Sequence, residues 1–321
     1  MKLQTQMSLK KQSNNLIDYK SNILLLGSCF VENIGNKLAY FKFLNLQNPF
    51  GILFHPKAIE TLVEHAIKQK VYSEKDVFFH NEQWHCFEAH SKLSNVSKQD
   101  LLNDLNDKIS LTHKQINKSS HIIITLGTAW MYRFVNTNSV VANCHKVAQK
   151  EFVKELLSTE EIVKSLENIT RLVMSVNSNV EVIFTVSPVR HIKDGVVENS
   201  QSKAHLISAI HQFLNQKSSI VNHNLFYFPS YEIMMDELRD YRFYAEDMIH
   251  PNQTAINYIW EKFKFVWVSD DAYKTMDEVD AIQKGLLHKP FNPDSEAHQK
   301  FLLTIKQKQN QLKKEYAHIE F

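Results

Sequence analysis

Glycine is scarce in this chain. Only six of its 321 residues are glycine, where average usage of about 7% would give roughly twenty. The shortage excludes collagen-like and linker-rich classes. It also makes Gly27, Gly35, Gly51, Gly127, Gly195 and Gly285 informative, because glycine is the residue for positive φ and close backbone approach. Cysteine is scarce too. Cys29, Cys86 and Cys144 are an odd count in a long chain, which excludes a disulfide framework and fits a reducing compartment. Long apolar runs are missing. The first, Ile23 to Leu26, is too short for a signal-peptide core or a membrane span. The chain is therefore read as soluble and cytoplasmic, without a membrane partner. An excess of one charge is missing as well. Lys and Arg total 37 against 35 Asp and Glu, so there is no electrostatic footprint for nucleic acid. No Gly-x-Gly-x-x-Gly or Walker loop and no compact Cys/His spacing occurs, so neither a metal nor another cofactor is expected.

What is present is a core. Hydrophobic residues make up 43% of the chain and aromatics 11%. Ile23–Leu26, His121–Leu126 and Val180–Val186 are apolar runs that read as buried parallel strands. Between them lie helical patterns: Val31 to Phe41, a helix after Pro56, Ser97 to Ile116, one from Ser158 to about Val176 opened by a capping box, and Ser200 to Gln216. Leu225 to Phe228 reads as a last short strand. Strands alternating with long helices imply a mainly parallel sheet covered on both faces. Hairpins are expected near 77–90, turning at Asn81-Glu82, and near 130–145. Beyond about residue 268 the pattern is all helical, so the expected organisation is an α/β unit over 1–268 and a helical C-terminal extension over 269–321.

Ligands on such sheets bind at the carboxyl ends of the strands. Four segments there carry candidate chemistry. Gly27-Ser28-Cys29-Phe30 follows the first strand, where a sharp turn into a helix can expose a nucleophile and aim amides at an oxyanion. Asp247-Met248-Ile249-His250 places a carboxylate where it can orient an imidazole base. Gly127-Thr128-Ala129-Trp130 ends the second buried strand, and Asn48-Pro49-Phe50-Gly51 is a loop. Asn143 closes the second hairpin. Arg190-His191 follows the third buried strand, where an arginine can clamp an anion.

Together, these segments resemble the GSCFA family, a bacterial branch of the SGNH/GDSL hydrolases. The resemblance also includes Asn143-Cys144-His145-Lys146, Ser187-Pro188-Val189-Arg190-His191 and Asp240-Tyr241-Arg242-Phe243-Tyr244. It spans roughly residues 20 to 265, and Val31 stands where the family's naming motif has alanine. It implies a flavodoxin-like three-layer α/β/α fold and acyl-ester chemistry. His250 would be the base, Asp247 its orienting acid and Cys29 or Ser28 the nucleophile. Aligned on Gly27, Cys29 takes the place of the superfamily serine. Amides at Cys29 and Gly51 would receive the oxyanion. The superfamily adds an asparagine from the third block, but this chain has Ala129 there. Thr128 or Asn143 is the expected substitute, with Gly127, Arg190 and His191 beside the substrate.

The expected activity is an acyl-ester hydrolase or acyltransferase acting on a small-molecule or carbohydrate ester. Two rival readings stay open. One is a scaffold that has lost catalysis and binds a ligand, as Ala129 suggests. The other is an interaction protein whose C-terminal helices, Asp294 to Tyr316, dock a partner or a second copy of the chain.

Overall fold

The computed structural model describes residues 4–216 and 224–321. Five strands form a parallel sheet: β1 (Asn22–Gly27), β2 (Leu44–Gln47), then β5 (His121–Leu126), β9 (Glu181–Val186) and β10 (Leu225–Tyr227). Their spatial order is β10-β9-β5-β1-β2. Taken in sequence the sheet strands thus lie in the order 2-1-3-4-5, the flavodoxin-like arrangement, whose topological switch point falls between β1 and β5. Leu25 pairs with Ile123 and Gly27 with Thr125 across that seam. β1, β5 and β9 are almost entirely buried, as expected of strands covered on both faces.

The period of two along these strands builds two cores. Leu24, Leu26, Ile122, Ile124 and Phe184 point to one side. There they meet α2 (Pro56–Ile67), α3 (Lys98–Lys118), α4 (Thr159–Val176) and α5 (Val196–Asn215). Ile23, Leu25, Ile123 and Ile183 point to the other, against α1 (Cys29–Tyr40) and α7 (Gln253–Trp267). Between β10 and α7 lie a single turn, α6 (Ser230–Glu232), and a π-helical turn, Ile233–Glu237. The C-terminal helices α8 (Asp270–Leu287) and α9 (Glu296–Glu315) join this second core through Met276, Ile282, Ile305 and Leu312. Tyr40 of α1 is tied to α8 by its hydroxyl, which donates to Asp280 at 2.8 Å. No helix among the described residues is long and apolar enough to cross a membrane.

The expected hairpins are present. β3 (Phe78–His80) and β4 (Gln83–His85) turn at Asn81 and Glu82, both at positive φ. β6 (Trp130–Phe134) pairs with β7 (Ser139–Val141). A strand the sequence did not disclose, β8 (Phe152–Leu156), adds to the other edge of β6. The β6–β7 hairpin walls one side of the site with Trp130, Tyr132 and Val141.

Candidate active site

The site begins with Gly27, the last residue of β1. Its φ is +132°, and a Cβ there would stand 2.1 Å from the Thr125 carbonyl oxygen. Only glycine lets the chain leave the sheet at this angle so close to β5. The Ser28 amide donates to that same carbonyl at 3.0 Å. Ser28 is the N-cap of α1 but forms no side-chain cap. Its hydroxyl points inward, fully buried, with no partner among the described residues. Cys29 is the first residue of α1 and is half-buried. Burial and Glu32 push its thiol above the ordinary value, while Lys203 and the amides of Cys29 and Phe30 pull it down. Those amides are orphan donors of the helix start, which favour an anion.

The opposing residues come from the loop before α7. Asn252 caps that helix by accepting from the Ala255 amide, and its NH2 donates to the Arg242 carbonyl at 2.7 Å. Asp247 folds the loop around its carboxylate. One oxygen accepts from the amides of Ile249 (2.9 Å) and His250 (3.0 Å), and the other lies 2.6 Å from His250 Nδ1. The His250 amide, its ring and the Ile249 amide hold the Asp247 carboxyl down at about 2. This fixes the proton of a neutral ring on Nδ1 and leaves Nε2 as an acceptor. That Nε2 faces Cys29 Sγ at 3.9 Å. Both side chains of the loop remain open to solvent, His250 at 50% and Asp247 at 45%, so water reaches the pair directly.

Cys29 and His250 line a cleft of about 510 Å³ together with Thr128, Asn143, Arg190 and His191. Six of the candidate residues are thus brought to one place. Asp247 stands behind His250, and Ser28 lies beneath the floor. Gly127 also belongs to the floor: its amide and that of Thr128 both donate to the Phe54 carbonyl, at 2.8 and 3.0 Å. Gly51 lines a different cleft, beside Asn48, Glu32 and Lys92. Its amide donates to the Asn48 carbonyl at 2.7 Å. Asn48 itself braces the turn, its side-chain oxygen accepting from the Gly27 amide at 2.9 Å.

The polar groups within the cleft differ in freedom. The Thr128 hydroxyl is engaged by Ser202 (3.0 Å) and the Trp130 amide (3.0 Å). Asn143 uses its oxygen to accept from the His145 amide at 2.8 Å; its NH2 has no partner among the described residues. The Arg190 guanidinium likewise makes no hydrogen bond or ion pair among them. Asp194, four residues on, pairs with Lys154. His191 is pushed down to about 3 by burial, Lys203 and His250, so its ring is neutral. Its Nε2 is enclosed and has no partner among the described residues.

Three residues essential to this geometry escaped the sequence reading, and all lie on the inner face of α5. Asn199 accepts from the His191 amide at 2.9 Å. Ser202 accepts from the Ala129 amide at 2.7 Å. Lys203 is 1% exposed and donates to the carbonyls of Gly127 and Ser187, each at 2.7 Å. The signal was their spacing. Positions 199, 202, 203, 206, 209, 210 and 213 form one buried stripe, polar only at the end that meets the strand tips.

The parallel α/β sheet carries a thiol, an imidazole and a carboxylate in line at its switch point. The GSCFA family model matches residues 22–263, and a model described as "GSCFA domain protein, C-terminal domain" matches residues 279–321. The chain belongs to the GSCFA family. No curated protein matches it.

Proposed function

We propose that this protein is a thiol-dependent acyl-ester hydrolase or acyltransferase, related in design to the SGNH/GDSL hydrolases. The observation that carries the reading is the line from Asp247 through His250 to Cys29 at the carboxyl edge of the sheet. His250 Nε2 takes the thiol proton as Cys29 Sγ attacks the ester carbonyl. The tetrahedral oxyanion is received by the amides of Cys29 and Phe30 at the head of α1, assisted by the Asn143 NH2. His250 then protonates the leaving alkoxide, and a thioester remains on Cys29. Water, or a hydroxyl of a sugar acceptor, attacks the thioester with His250 again as base; the C–S bond breaks, the acyl group leaves as acid or new ester, and His250 returns the proton to Cys29 Sγ. Asp247 holds the ring and stabilises its charged form.

The substrate is a small-molecule or carbohydrate ester. Phe54, Trp130, Tyr132 and Ile249 wall the cleft and suit an apolar acyl chain. Arg190, which makes no ion pair among the described residues, suits an oxygen-rich or anionic group on the same molecule.

The test is an ester panel of varied acyl length assayed with wild type, Cys29→Ala, Ser28→Ala and His250→Ala, with intact-mass detection of the acyl-enzyme. Turnover and the mass adduct should vanish in Cys29→Ala. Activity surviving His250→Ala would sink the mechanism. A second reading, a non-catalytic ligand-binding protein, draws on Ala129, which brings no side-chain donor to the third block. It predicts ligand retention in the cleft with no turnover and no adduct.

A further inference from the structure

The oxyanion of the proposed mechanism meets few donors, because most amides at the strand ends are already bonded. The Gly51 amide is taken by the Asn48 carbonyl at 2.7 Å, and those of Gly127 and Thr128 by the Phe54 carbonyl at 2.8 and 3.0 Å. The Ala129 amide donates to Ser202 at 2.7 Å, and Ser202 also engages the Thr128 hydroxyl. What remains is the head of α1 and the Asn143 NH2. Each donor withdrawn from such a hole costs about a hundredfold or more in rate. A site built this way suits an acyl carbon that is already activated. The nucleophile points the same way. When a thiolate adds to an oxygen ester, the adduct can expel either the thiolate or an alkoxide. A thiol ionises at about 8.5 and an alcohol far higher, so the thiolate is the better leaving group and the adduct reverts more often than it proceeds. With a thioester both leaving groups are thiolates, and the forward exit matches the return.

We propose that the acyl donor of this site is a thioester whose thiol arm carries a phosphate. The inference rests on the reading of Cys29 as nucleophile and His250 as base. It replaces the donor ester's oxygen by sulfur and leaves the acceptors as they stand. Arg190 and Lys193 meet the phosphate. Both line the cleft on the segment after β9, and neither cation makes a hydrogen bond or ion pair among the described residues. Asp194 on the same segment is held by Lys154, so it does not neutralise them. A guanidinium and an ammonium together suit a phosphate. His250 takes the Cys29 proton as Sγ bonds the acyl carbon. The donor C–S bond breaks, and the departing thiolate takes that proton from His250. Water or a hydroxyl then attacks the Cys29 thioester, its C–S bond breaks, and the acceptor's proton returns to Sγ through His250.

The experiment offers the full chain one acyl group on several donors. These are an ethyl ester, a monosaccharide ester, the short N-acetylcysteamine thioester without phosphate, the coenzyme A thioester, and a phosphopantetheine thioester on a carrier protein. Intact mass follows the adduct on Cys29, with Cys29→Ala as the blank. The thioesters should acylate Cys29 at least about a hundredfold faster than the oxygen esters. In Arg190→Met and Lys193→Met, KM for the coenzyme A thioester should rise about tenfold more than KM for the short one. Acylation by the coenzyme A thioester supports a free donor, and acylation by the carrier thioester alone supports a carried one. An oxygen ester that acylates Cys29 as fast as the thioesters overturns the inference and retains the proposed function. An unchanged ratio of the two KM values in both variants also overturns it. No adduct from any donor removes the proposed function and this inference with it.

Discussion

Cys29 Sγ and His250 Nε2 face each other at 3.9 Å across the carboxyl edge of the sheet. That separation is at the long end for a sulfur–nitrogen hydrogen bond, as is common before substrate tightens a site. Under the proposed mechanism it favours Cys29 over its neighbour Ser28, whose hydroxyl is buried below the cleft floor without a partner among the described residues. Cys29→Ala should lower ester turnover by about a thousandfold or more. Ser28→Ala should leave it within a few-fold and should not destabilise the fold, because it removes an unsatisfied hydroxyl. Steady-state rates and urea midpoints for both variants check this.

Asp247→Asn tests the tautomer of His250. The amide oxygen can still accept from the Ile249 and His250 amides, but the group facing His250 Nδ1 becomes an NH2 donor, which pushes the ring proton to Nε2 and leaves no acceptor toward Cys29. The expected result is a fall in kcat of about tenfold to a thousandfold with KM little altered, less than for a buried acid because this pair is open to water. A change confined to KM would contradict the role given to Asp247.

The fold itself was partly legible. Ile23–Leu26, His121–Leu126 and Val180–Val186 were visible because strands buried on both faces must be apolar throughout. Their ends predicted the rim of the cleft, and Cys29, Asn143, Arg190 and His250 do lie there. β2 was hidden because Leu44–Gln47 is a short, half-buried edge strand with polar residues at alternate positions. β8 was hidden because its partner, β6, lies some twenty residues away in the chain, and nothing local in Phe152–Leu156 announces pairing. Lys203 went unread for a different reason. A lysine in a helix reads as solvated, and only the strand-end carbonyls facing it make burial tolerable.

Acid should weaken the protein through His55. This buried ring caps α2, its Nδ1 accepting from the Ala58 amide at 3.2 Å while Nε2 lies 3.0 Å from the Val141 carbonyl. Protonating Nδ1 abolishes the cap, and burial holds the ring down at about 4 against an ordinary 6.5. Because the folded state disfavours the proton, the contribution is complete above pH 6.5. It declines as pH falls from 6.5 to 4, and is lost below that. Its size is on the order of 3 kcal/mol. Urea unfolding at pH 7.5, 5.5 and 4.5 should show the decline, and a His55→Asn variant should show a shallower one. Equal slopes in the two proteins would assign the acid sensitivity elsewhere.

Gly27→Ala should be among the most damaging single changes available. The added methyl meets the Thr125 carbonyl at 2.1 Å, in backbone on both sides that cannot yield, and at a φ unfavourable to any L side chain. A loss above about 3 kcal/mol is expected, seen as insoluble expression or an early urea midpoint. Gly285→Ala, whose methyl would meet the flexible tip of Ile305, should cost far less.

The contact between Cys29 and His250 spans 221 positions of the chain. During synthesis the thiol therefore leaves the ribosome long before its partner exists. Until β5 lies against β1 and the loop ahead of α7 closes over the strand tips, the cysteine has no imidazole facing it. A truncated or half-folded chain would carry an ordinary cysteine, and the assembled site reports that the whole sheet has been built.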